Sequence, residues 1–271
     1  MKLAAESVHV IAVGRRLHAL EQTRSEARSA GLRGEVVPVV ADVGTEEGRS
    51  AVAREAAARA GGRVRFLVHN AGVVGPLVPL EKLELSKFQD VMRTNVEAPV
   101  FLTKALLPLL DAGGAPKPRV LHVSSGCAHN PTASWLAYSV SKAALLMAYR
   151  CLELEFREAG RGVLVGSTKP GIIDTPMQDE MRLAADADFP KVKRFRQLKE
   201  GLGRKAGAAP PPPTTVERLE LPPRFPDPEA LDTPENVAHF IWFLLTQTTE
   251  EEYGSHDWDV RDKSIASRWA R

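Results

Sequence analysis

The sequence predicts a doubly wound α/β domain, a parallel sheet with helices on both faces. Three observations carry this. Short apolar, β-branched runs alternate with helix-forming stretches from the first residues to about position 170, the order that builds a parallel sheet. The runs are almost continuously apolar, as strands buried on both sides must be. Each run ends on its C-terminal side in small or polar residues, which suits strands opening onto one common edge.

The elements follow in order. MKLAAES (1–7) reads as the end of a helix and leads into the first run, VHVIAV (8–13). EVVPVVA (35–41), VRFLV (64–68), RVLHV (119–123) and GVLVGS (162–167) are the later strands. Between them, 17–30, 45–60, 85–110 and 135–159 are rich in helix formers. After Pro170 the character changes: 174–206 is polar and basic, and the run 191–205 reads as a solvated helix face. APPPPTT (209–215) lacks the donors a helix or central strand needs and is expected as an extended loop. A last helix begins near Asp232-Thr233-Pro234-Glu235, where a cap, an early proline and an acid agree. It turns Val237, Phe240, Ile241 and Leu244 inward, and the polar tail (248–262) holds a short strand near Trp258. The whole chain, 1–271, reads as one domain with 174–230 inserted in it as a substrate lid and proline-rich loop.

Composition narrows the function. With 271 residues and 44% hydrophobic content the chain buries one sizeable core. Its 36 basic and 34 acidic side chains leave +2, with no long block of one sign. Neither nucleic acid nor an anionic membrane is implied as a partner. Two cysteines, Cys127 and Cys151, make no disulfide framework and fit a reducing compartment. No apolar run approaches the ~20 residues that span a bilayer. The start has no signal-peptide layout, so a cytoplasmic protein is expected.

The polar strand ends are Gly14-Arg15-Arg16, Asp42, His69-Asn70-Ala71-Gly72, Ser124-Ser125 and Lys169-Pro170-Gly171. In an open parallel sheet ligands bind in the crevice along that edge. Tyr138, Lys142, Leu145, Tyr149, Leu152 and Phe156 recur at alternating steps of four and three, one stripe of a helix. A lysine on an inward stripe costs desolvation unless it has partners. An ammonium beside a phenol favours the phenolate and eases proton exchange near neutral pH. Read alone, the pair also fits a surface helix on which Lys142 snorkels and Tyr138 is core. Phe88, Met92, Asn95, Pro99, Leu102 and Leu106 make a second stripe. A buried Asn95 must be hydrogen-bonded, and from spacing alone it braces the core. His69 reads as a strand-end packing residue and His122 as core or sheet surface, with nothing that pairs it into a metal site; Cys127 reads as a small filler.

Together these residues resemble the short-chain dehydrogenase/reductase family. The matches are Asn70-Ala71-Gly72, Asn95 in the following helix, Ser125 thirteen residues before Tyr138, Y-S-V-S-K (138–142) and P-G-I-I-D-T-P-M (170–177). The tail segments T-T-E-E-E-Y and H-D-W-D-V-R-D are similar to a sepiapterin-reductase-like subgroup. The resemblance implies a Rossmann-like sheet and a carbonyl–alcohol oxidoreductase. Tyr138 would protonate the carbonyl oxygen as hydride arrives from the nicotinamide. Lys142 would hold the ribose and depress the tyrosine pKa, Ser125 would bind the substrate oxygen, and Asn95 would keep a water in the proton relay. Asn70, Ala71 and Gly72 would line the adenosine side and Asp42 the adenine. The segment from Pro170 through Gly171 and Ile173 to Thr175 would cover the nicotinamide amide.

NAD enzymes of this type place an acid after the second strand to bind the ribose 2′-hydroxyl. Here Arg15 and Arg16 stand there instead, and guanidinium suits a 2′-phosphate. The cofactor expected is NADP (NADPH), and no metal is expected.

The resemblance also implies a first strand and a glycine-rich turn of the T-G-x-x-x-G-x-G type, which this sequence lacks. In the family order that strand lies between 8–13 and 64–68, so a gap is expected there unless 8–13 slides beside 64–68. Two readings follow: an N-terminally truncated form of a working reductase, or a catalytically inactive relative acting as a binding or regulatory protein. NADPH titration with and without a restored N-terminal segment separates them. By analogy the partners are a small carbonyl or alcohol substrate and a second copy, paired through 85–110 and 135–159 as a homodimer or homotetramer.

Overall fold

The structure is a computed structural model that describes residues 1–205 and 231–270. The proline run at 209–215 lies outside the described residues. A short helix α1 (Lys2–Ala5) precedes β1 (Val10–Gly14), α2 (Leu17–Ser29), β2 (Val36–Val40), α3 (Glu46–Arg59) and β3 (Phe66–His69). Then come α4 (Leu85–Met92), a π turn (Arg93–Glu97), α5 (Ala98–Leu110), β4 (Arg119–Val123), α6 (Leu136–Glu158) and β5 (Leu164–Lys169). The chain continues through α7 (Pro176–Arg182), α8 (Val192–Lys205), α9 (Pro234–Thr246), α10 (Glu250–Tyr253), β6 (Asp257–Asp259) and α11 (Ala266–Trp269). No helix of the described residues is long and apolar enough to cross a membrane.

All strand pairings are parallel, but the sheet is in two pieces. β1 pairs with β2, and β3, β4, β5 and β6 pair in that order. Among the described residues no strand joins β1 to β3. The expected gap is therefore present, and β1 does not slide across to close it. The strand begins two residues later than the apolar run because Val8 N–H bonds the Leu3 carbonyl and completes the turn of α1.

Packing holds the two pieces together where hydrogen bonds do not. Side chains alternate across each strand. Ile11 and Val13 of β1 therefore share one core with Leu67, Val120 and Val165 of the larger sheet, under Val52, Leu102, Leu106 and Tyr149 from α3, α5 and α6. On the opposite face Leu3 joins Phe66, Val68, Leu121, Phe240, Phe243 and Trp258. Of the residues expected inward on α9, Val237, Phe240 and Leu244 are buried and Ile241 is partly buried.

Local chemistry explains the element ends. Thr45, Thr233 and Thr249 cap α3, α9 and α10 through their hydroxyls, each worth roughly 1 kcal/mol. At Gly48 a Cβ would lie 1.9 Å from the Asp42 carbonyl oxygen, so only glycine lets α3 start this close to the β2 edge. The continuous helix expected over 85–110 is broken by the π turn. Pro99 brings no N–H, so the Asn95 carbonyl lacks its usual i+4 donor and the ladder rearranges. The basic run forms α8, which buries Val192, Phe195 and Leu198 on its apolar face.

Candidate active site

The C-terminal ends of β3, β4 and β5 and the first turns of α6 converge on one cluster. Tyr138 and Lys142 lie on the inward stripe of α6 and are 8% and 5% exposed. The snorkelling alternative is thereby removed. Lys142 Nζ donates to the Val123 carbonyl at the end of β4 at 2.7 Å. It lies 5.8 Å from the centre of the Tyr138 ring. Ser125, two residues beyond that strand end, caps a single 3-10 turn (Gly126–Ala128), and its Oγ accepts from Cys127 N–H at 3.3 Å.

Burial decides the electrostatics. Desolvation pushes Tyr138 up to about 12, partly offset by its hydrogen bond with Ser125 and reinforced by Cys127. Lys142 is pulled down to about 8 by burial, against the nearby Cys127 and Asp257. The tyrosine, expected to be lowered, is thus raised overall, because burial is the largest influence on it. The lysine spends its hydrogen bond on a backbone carbonyl, and the apolar surroundings of the phenol act more strongly on it. The protonated phenol is the form suited to giving a proton to a carbonyl oxygen.

Asn95 braces the site from the π turn. Its Oδ1 accepts from Val73 N–H, and its Nδ2 donates to the Val73 carbonyl and to Ser141 Oγ, all at 2.9 Å. Ser141 in turn donates to the Tyr138 carbonyl at 2.8 Å. The amide thus clamps the loop after β3 to the turn of α6 that carries the tyrosine and lysine. Ser141 was missed by sequence reasoning, although it lies on the Tyr138 stripe within Y-S-V-S-K. Gly72 lies against this clamp: a Cβ there would be 3.4 Å from Asn95 Oδ1 and 3.8 Å from Lys142 Nζ. Asn70 and Ala71 are exposed beside it.

The remaining candidates fall in two groups. Past Pro170 and Gly171, Ile173 bridges to Asp232, whose N–H bonds the Ile172 carbonyl at 2.8 Å. The segment up to Thr175, which precedes α7, is thereby pinned to the start of α9. Arg15 and Arg16 are exposed where β1 passes into α2, on the smaller sheet. Arg15 lies 3.8 Å from Asp42, a loose ion pair. Asp42 accepts from Gly44 N–H at 2.9 Å, and a Cβ at Gly44 would come within 3.5 Å of Thr94 Oγ1. This loop therefore lies beside the π turn that carries Asn95.

The residues present fit a nicotinamide dinucleotide in part. Gly72 leaves room beside a buried amine, and two unburied guanidiniums stand at the next strand end. Among the described residues the gap between β1 and β3 supplies no turn for the pyrophosphate. Over Tyr138 lies an aromatic wall. Trp135 packs edge-on to the tyrosine at 5.5 Å and stacks on Phe189 at 5.5 Å, with Phe195 at 5.7 Å. Met181, Met177, Ile172 and Cys127 complete it. A separate cavity of about 590 Å³ opens where β5 begins, lined by Glu153, Arg157, Arg161 and Glu250, at the opposite end of the strand from this chemistry.

Comparison with known proteins agrees with this geometry. Residues 1–186 match the short chain dehydrogenase family. A benzil reductase ((S)-benzoin forming) from Bacillus cereus is 37% identical over 134 residues, 49% of this chain and 53% of that protein. The chain thus spans about half the length of that relative. The KRED1-Pglu enzyme superposes with a TM-score of 0.71 at 26% identity, covering 93% of this chain and 90% of its own. A metagenomic short-chain oxidoreductase in complex with NADP gives 0.57 at 28% identity, covering 69% and 85%. The sheet is Rossmann-like, and the chain belongs to the short chain dehydrogenase family of oxidoreductases.

Proposed function

We propose that the protein reduces a carbonyl to an alcohol with NADPH, using Tyr138 as the proton donor. The observation that carries this is the buried pair of Tyr138 and Lys142 at the start of α6, beside half-buried Ser125 just past the end of β4. A bound nicotinamide supplies the hydride. Ser125 and Tyr138 hold the substrate oxygen between two hydroxyls, and Tyr138 gives it a proton as the alcohol forms. Lys142, held by the Val123 carbonyl, keeps a positive charge near the phenol and stabilises the phenolate that remains. Asn95 and Ser141 fix the backbone that presents both groups. The Trp135, Phe189 and Phe195 wall excludes water and suits an apolar, aryl-bearing carbonyl, in keeping with the relative named for benzil.

NADPH is favoured over NADH because Arg15 and Arg16 stand where a carboxylate would serve a 2′-hydroxyl, and guanidinium matches a phosphate better. The protein works as a homo-oligomer in the cytoplasm. Phe101 of α5 and Val140, Met147 and Leu154 of α6 are exposed apolar residues on the two helices that would pair.

Fluorescence titration with NADPH, followed by absorbance assay with an aryl diketone, tests the reading. Saturable binding and substrate-dependent NADPH oxidation are expected. Binding without turnover on any carbonyl would instead support the inactive, ligand-binding relative.

A further inference from the structure

Four polar side chains form a row across the larger sheet. The registers place His69 opposite His122, His122 opposite Ser167, and Ser167 opposite Asp257, one residue from each of β3, β4, β5 and β6. Neighbours in register on parallel strands face the same side, and here that side carries α5 and α6. The Asp257 side chain is only 4% exposed. Burying a carboxylate is costly unless it is paired and hydrogen-bonded. Ser167 Oγ donates to its Oδ1 at 2.7 Å, and His129 Nε2 donates to its Oδ2 at 2.8 Å. His129 is the residue just after the 3-10 turn that Ser125 caps. The tail that carries Asp257 is thus tied to the turn that carries the reacting hydroxyl.

His129 on the turn is the titratable group hydrogen-bonded to this carboxylate, and Lys142 and Tyr149 on α6 lie within range of its charge. His256, the residue before β6, packs its ring on Trp258 instead. His122, two strands away in the same row, is buried with both ring nitrogens unpartnered.

We propose that Asp257 is a positioning residue of the active site, holding the Ser125 turn through His129. The inference rests on the reading of Tyr138, Lys142 and Ser125 as the reacting set. Its test needs neither cofactor nor substrate, so it stands or falls apart from that reading.

The test is amide exchange of the full chain followed by NMR. Asp257→Asn keeps the acceptor for Ser167 and removes the charge that holds His129, and His129→Gln removes the imidazole. Each should raise exchange across Gly126 to His129 several-fold while α3 and β2 keep the parent's rates. Unchanged exchange in the turn, or a rise spread evenly over the chain, would overturn the tether. Should Asp257→Asn fail to fold, His129→Gln decides it on the same two outcomes.

Discussion

Tyr138 and Lys142 stand one turn apart on α6, yet the lysine ammonium reaches the Val123 carbonyl, at 2.7 Å, and lies 5.8 Å from the centre of the tyrosine ring. The amine is therefore positioned by the end of β4 and not by the phenol. Burial lowers Lys142 to about 8 and raises Tyr138 to about 12.

The first prediction concerns pH. In the proposed mechanism the Lys142 charge, present below about 8 and lost above it, supports the phenolate left by proton transfer. The rate of carbonyl reduction should fall as pH rises through that midpoint. Steady-state rates at saturating NADPH check this, and a flat profile across the midpoint would contradict it.

Acid stability follows from the two buried imidazoles. His122 is lowered to about 3 by burial, with Lys142 adding to the effect, and His69 is also pushed well below its usual value by burial, with His122 adding to it. Folding therefore keeps both rings neutral while the unfolded chain takes up protons. The stability present above the unfolded value of 6.5 is lost as pH falls, at up to about 1.4 kcal/mol per pH unit for each ring. His122→Leu removes one titrating group and two unpartnered nitrogens. It should flatten the acid limb, measured by urea unfolding between neutral and mildly acidic pH.

Asn95→Ala leaves the half-buried Val73 N–H and carbonyl without the amide that pairs them. A stranded buried group costs roughly 1–3 kcal/mol, and the loop holding Gly72 loses its tie to α6. Both a lower unfolding midpoint and a lower kcat are expected, whereas Asn95→Asp should recover part of the stability through the acceptor it retains.

Arg15→Ala should erode the preference for NADPH over NADH. A charge-assisted bond to a phosphate is worth about 1.5–3 kcal/mol, or roughly ten- to hundredfold in the ratio of dissociation constants. An unchanged ratio would remove the assignment to the 2′-phosphate.

Much of this was legible in the sequence for one reason: strands buried on both faces carry continuous apolar runs, and RVLHV or GVLVGS announces itself. The spacing of Ser125, Tyr138 and Lys142 is likewise local and readable. The gap between β1 and β3 followed from the order of the runs set beside the family resemblance. The π turn was not legible, because Pro99 sits within a helical stripe whose periodicity continues past it. Neither was the direction of the Tyr138 shift, which depends on Phe189 and Phe195, from beyond β5, packing with Trp135 in the cluster that buries the ring. The His129–Asp257 pair joins residues 128 positions apart, and no periodicity encodes such a contact.

Replacing Tyr138 with Phe and following NADPH oxidation by absorbance on an aryl diketone is the most direct measurement. Removing a positioned acid should lower kcat by about 10²–10⁴-fold while NADPH still binds. A variant that turns over as fast as the parent would contradict the assignment of the phenol as the proton donor.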